Sequence, residues 1–205
     1  MANVSFGPAT YVARCAGIVS PADHDALVAL LKGMCSRRNV YDENEYGMSA
    51  PLQSGTKRSS FKMIKQVPTT GPPVPLGPTP PIIWRLVHES LPLKGKQYND
   101  LPAAVLEVAE SSLTGIYSVQ FMHALGCQVD YRVARRSQVF VINHEDSEVQ
   151  VTLFSVSSRT TGKPLFEGHA VEARLPAAPE QQVEAARKLG GFCQKLLPMV
   201  LLKKV

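Results

Sequence analysis

Long apolar runs are missing from this sequence. No stretch approaches the ~20 apolar residues a membrane-spanning helix requires, and the opening MANVSFGPATYVARC has no apolar core of the signal-peptide kind. Cysteine is sparse: Cys15, Cys35, Cys127 and Cys193 lie far apart with no C-x-x-C. That spacing excludes a disulfide-stapled secreted scaffold, argues against zinc, and predicts buried, reduced thiols in a soluble nuclear or cytosolic protein. Blocks of like charge are also absent. The 22 Lys+Arg and 17 Asp+Glu leave +5, but the basic residues are scattered from Arg14 to Lys204, which reads as a solvated surface rather than a polyanion-binding stripe. The five histidines stand apart, and G-x-x-x-x-G-K-[ST], G-x-G-x-x-G and G-x-S-x-G do not occur. Phosphate-cradling loops, serine hydrolases and helical metal sites therefore have no support.

What is present is enough for one packed domain: 205 residues, 44% of them apolar. Thr10 to Val19 is a β-rich run that stops at Ser20-Pro21. A helix is expected next, with Ser20 as cap, Pro21 in the first position, and Leu27, Leu30, Leu31 and Met34 on one face. Phe61 to Val67 and Ile82 to His88 read as strands. Between them VPTTGPPVPLGPTPP holds seven of the sixteen prolines, a loop at about 68–81 within a single domain spanning 1–205. A helix is predicted from Asn99 or Asp100 with Val105, Val108 and Ala109 inward, and another through Ile116, Val119, Met122 and Leu125, ending at Gly126. The period then changes to two. Gln128 to Val133 and Val139 to Ile142 alternate as a hairpin with Arg135 and Arg136 at its tip, followed by strands over 148–157 and 165–174. A last helix opens near Pro179, with Val183, Ala186, Gly190, Cys193 and Leu197 on one face and Pro198 at its end. The pattern predicts an α+β fold, a curled antiparallel barrel-like sheet with flanking helices.

Two stretches carry candidate chemistry. Glu43 and Glu45, at strand spacing, could hold a divalent ion inside a barrel, as the alternating glutamates of triphosphate-tunnel enzymes do. Those enzymes have a lysine two residues on, where this chain has Gly47, and rows of inward basic residues; the pair is read instead as part of a polar turn. Lys57 to Lys65 interleaves basic residues with Phe61, in the manner of a nucleic-acid strand or of a half-buried edge strand, and the second reading is preferred. No catalytic residue, cofactor ligand or metal ligand is assigned.

Three stretches taken together resemble subunit 18 of the Mediator complex. YVARCAGIVSPADHDALVALLKGMC is similar to that family's opening strand and helix, with Leu31, Gly33, Met34 and Cys35 at its end. FMHALGCQVDYRVARRSQVF resembles its helix-to-strand junction through Phe121, Leu125, Gly126, Asp130 and Tyr131, with Phe140 on the return strand. FCQKLLPMVLLKK resembles its closing helix and tail through Leu196, Pro198, Val200, Leu202 and Lys203 or Lys204. The resemblance implies a barrel distantly like the triphosphate-tunnel architecture and a nuclear, non-catalytic coactivator scaffold in the Mediator head module. It also implies pairing with Mediator subunit 20, a C-terminal helix of subunit 8 as second partner, other head subunits beyond these, and an indirect link to RNA polymerase II. Neither a membrane nor direct sequence-specific nucleic-acid binding is expected. A triphosphate-tunnel-like phosphohydrolase and a small RNA-binding module remain the alternatives.

Overall fold

The structure, a computed structural model, describes residues 3–6, 10–51, 58–69 and 82–205. Its ten strands are β1 (Asn3–Phe6), β2 (Thr10–Val19), β3 (Arg37–Pro51), β4 (Arg58–Pro68), β5 (Ile83–Glu89), β6 (Ala104–Thr114), β7 (Gln128–His144), β8 (Ser147–Ser158), β9 (His169–Ala177) and β10 (Lys203–Lys204). Among the described residues four helices flank them: α1 (His24–Met34), α2 (Lys96–Asn99), α3 (Ser118–Ala124) and α4 (Gln182–Gln194). Neighbours run antiparallel in the order β6-β5-β4-β3-β7-β8-β9-β2, and β2 returns to pair with β6, closing an eight-stranded barrel. β1 and β2 share one edge of β6 in tandem, opposite residues 111–114 and 104–108.

Because successive side chains on a strand point to opposite faces, each strand contributes one row to the barrel interior and one to its outer wall. The outer wall carries most of the apolar core. Ala13, Cys15, Phe140, Ile142, Val151, Leu153, Val171 and Ala173 pack under Leu27 and Leu31 of α1 and Ala186, Leu189 and Phe192 of α4. A second cluster, with Met48, Met63, Trp84 and Leu113, is covered by Met122 of α3. Gly190 permits close packing: a Cβ there would run into the ring of Pro102.

Several elements differ from the sequence expectation. Residues 104–114, expected as a helix, form β6, whose first part is buried on both faces: Ala103 and Val105 face the helix-covered core, while Ala104, Leu106 and Val108 face the interior cluster with Val12 and Ile64. Two buried faces remove the alternation by which a strand is recognised. Residues 128–144 are one continuous strand, not a hairpin, and Arg135 and Arg136 lie in its middle. Glu43 and Glu45 belong to β3 rather than a turn. α1 starts at His24, and Ser20 instead closes the preceding turn, donating to Asp23 at 2.7 Å. α4 ends at Gln194, short of Leu197. Apart from Pro68 and Thr69, the proline-rich segment lies outside the described residues.

Candidate functional site in a charged barrel interior

The inward rows of the barrel line a cavity of about 280 Å³. Arg37, Asn39, Tyr41 and Glu43 come from β3, Lys62, Ile64 and Gln66 from β4, and Arg85, Val87 and Glu89 from β5, each set spaced by two. Arg135, Val139 and Val141 of β7, Gln150 and Thr152 of β8, and Glu172 and Arg174 of β9 complete most of the ring. Charges far apart in sequence thus meet in one interior. The expectation of dispersed surface charge fails here, as does the expectation that inward basic rows are missing.

Two networks organise these charges. In the first, Arg135 stands opposite Glu43 in the β3–β7 register, approaches its carboxylate at 3.5 Å and donates to Glu45 at 2.8 Å. Ser137 donates to the same Glu43 oxygen at 2.6 Å, Gln66 donates to the other oxygen, and Tyr131 donates to Glu45 at 2.8 Å. Every oxygen of the two buried carboxylates is accepting. The Arg135 guanidinium also lies over the Phe154 ring, 3.9 Å from its centroid, a contact that strengthens when water is excluded. Burial, and then the Glu45 charge, push the Tyr131 phenol above its ordinary range.

Glu89 is the hub of the second network. Arg174 donates to it at 2.7 Å, Lys62 at 3.0 Å and Arg14 at 3.1 Å, and Glu172 binds the two arginines from the side. Burial acts to raise the Glu89 carboxyl, but Arg174, Lys62 and Arg14 outweigh it and hold it down at about 2. Lys62, one of the cations of the Lys57 to Lys65 stretch, therefore turns inward and is engaged.

Gly47 has a steric reason. A Cβ at this position would run into the ring of Tyr131, which crosses it on the way to Glu45. The ring lies over bare backbone.

The family-motif positions fall outside this interior except for Tyr131. Gly33 is on α1 with open space beside it, and Cys35 caps that helix with its N–H on Leu31 at 2.9 Å. Phe121 and Leu125 are exposed at and after α3, Gly126 follows with φ +82°, and Asp130 accepts from Ser49 at 3.1 Å. Phe140 and Val200 are buried in the core beneath α1 and α4, and Pro198 follows a cis peptide bond. Sequence reading missed Arg14, Lys62, Arg85, Glu89, Arg135, Glu172 and Arg174 as one constellation; the available signal was charged residues at strand spacing inside otherwise apolar runs. Among the described residues no group of three or more His, Cys, Asp or Glu could hold a metal ion, although His24 and His169 stack with ring centroids 4.1 Å apart.

No family model matches the chain. Mediator of RNA polymerase II transcription subunit 18 from Arabidopsis thaliana is 21% identical over 196 residues, covering 92% of this chain and 84% of that protein. In fold, a chain of the Schizosaccharomyces pombe Mediator head module superposes with a TM-score of 0.65 at 14% identity, covering 95% of this chain and 98% of its own length. The PH1819 protein of Pyrococcus horikoshii OT3 shares the fold with a TM-score of 0.58 at 12% identity, over 94% of this chain and 93% of its own. Over nearly its whole length this chain is similar in sequence to subunit 18 of Mediator, the family its three sequence stretches resemble, and in fold to a chain of the Mediator head module.

Proposed function

We propose that this chain is a non-catalytic structural subunit of the Mediator head module, acting in the nucleus as a coactivator scaffold for RNA polymerase II. The observation that carries this reading is the match to Mediator subunit 18 along 92% of the chain. The barrel interior is in keeping with it. Each oxygen of Glu43 and Glu45 already accepts from Arg135, Tyr131, Ser137 or Gln66, so a metal ion there would have to displace these donors and the Arg135 charge. The partners that follow are Mediator subunit 20, as a heterodimer, and a C-terminal helix of subunit 8. Co-expression with subunit 20 of the same species tests this: the reading expects one co-eluting 1:1 species on size exclusion, and separate elution would count against it.

The tunnel-phosphohydrolase reading is the second one, because Glu43 lines the barrel cavity and the buried Glu45 shares Arg135 with it. It requires divalent-metal-dependent phosphate release from a triphosphate, abolished in an E43Q/E45Q variant. The scaffold reading expects no such release.

A further inference from the structure

Two of the four cysteines meet in the core. Cys15 lies on β2 and Cys193 on α4, near opposite ends of the chain, and both are buried beneath the helices. Pro102 fixes how they face each other. Its carbonyl accepts from the Cys15 thiol at 3.5 Å, and its ring packs against Gly190, so one residue touches both β2 and α4. Cys193 is three positions beyond Gly190, hence on the same face of the helix, turned toward β2. The Cys193 thiol donates a hydrogen bond to the Cys15 sulfur. That bond holds the Cys15 thiol below its ordinary range, although burial opposes it, and pushes the Cys193 thiol above its own. After α4 the chain returns to the same place, where Lys204 of β10 pairs with Cys15.

A buried thiol standing alone is inert, whereas two that face each other across one packed layer can be joined. We propose that Cys15 and Cys193 are a redox pair: a hydroperoxide joins them in a disulfide that locks α4 and the tail behind it onto β2, and a dithiol releases them. Two S–H bonds break and one S–S bond forms. With hydrogen peroxide as oxidant, the two protons and two electrons leave in two water molecules. In release, the dithiol gives both back and becomes a disulfide itself. Both sulfurs are free thiols in the structure, which is the unlocked form. The cross-link encloses most of the chain, the arrangement in which it restricts the unfolded state most.

Oxidation of the reduced, purified full-length chain with hydrogen peroxide under native conditions tests the proposal. Remaining thiols are alkylated in denaturant, and the digest is read by mass spectrometry without reductant. A linked Cys15–Cys193 peptide is expected in wild type and in C35S, which removes a half-buried thiol outside the pair, and not in C193A. On oxidation the melting temperature should rise by about 5 °C or more in wild type and C35S, fall back on addition of dithiothreitol, and show no rise in C193A. Should C193A not fold, C15A removes the other sulfur and the same loss is expected. Recovery of Cys15 and Cys193 as alkylated thiols, or a linked pair that leaves the melting temperature unchanged, would overturn the lock. Either failure leaves the Mediator reading in place, since that is decided by partner association.

Discussion

Arg135 on β7 stands directly opposite Glu43 on β3 and reaches past it to Glu45, placing one guanidinium 3.5 and 2.8 Å from two buried carboxylates. The protein carries its own cation at the position where a barrel with paired glutamates could take a divalent ion. Arg136, the next residue, points away from the barrel.

Opposite orientation predicts opposite consequences for these neighbours. R135M leaves two adjacent buried carboxylates without their cation and should destabilise by about 3 kcal/mol, the scale of breaking a buried pair. R136E, at an exposed position, should stay within about 0.5 kcal/mol of wild type. Urea denaturation at neutral pH checks both, and equal effects would mean that the β7 register is misdrawn.

Glu89 sets a pH dependence with a definite sign. Its carboxyl is held at about 2 in the fold against an ordinary 4.5, so its contribution is fully present above about 4.5 and is lost as pH falls from there through about 2. E89Q should therefore lower stability at neutral pH, by about 3 kcal/mol, since Lys62 is left without an acid and Arg14 and Arg174 keep only Glu172. The gap between wild type and E89Q should narrow only below about 4.5. Chemical denaturation across a pH series measures this, and a gap independent of pH would contradict the ion-paired hub.

Glycines give a prediction of mixed sign. Gly190 and Gly191 are adjacent in α4, yet a Cβ meets Pro102 at the first and nothing within 4 Å at the second. G191A should stabilise by roughly 0.5–1 kcal/mol through helix propensity, whereas G190A should destabilise despite the same propensity gain. Gly126, at φ +82° after α3, should cost about 1 kcal/mol or more on replacement by valine. Melting temperatures of the three variants suffice.

How much of this was legible in the sequence differs by element, for physical reasons. β2 is read over its full span, Thr10 to Val19, because Ser20-Pro21 marks its end. The α3 junction is read from the change of period at Gly126. The start of β6 was hidden by burial on both faces: Val105 and Val108, which with Ala109 fall at helical spacing, lie in a strand where Ala104 and Leu106 are also buried. The Arg135-Arg136 pair suggested a turn, which requires that both residues face water. Only one does, and the acids facing the other lie 90 and 92 residues earlier, at Glu45 and Glu43. The same distance concealed the whole interior. Charges dispersed along the chain are gathered by strand register, and register is a property of pairing that no single run of residues displays.

Membership of the Mediator head is tested by affinity purification of the tagged chain from nuclear extract, with quantitative mass spectrometry of what co-purifies. Subunits of the Mediator head are expected at stoichiometric levels, with subunits 20 and 8 among them, retained in R136E. Recovery of the folded chain without any Mediator subunit would contradict it.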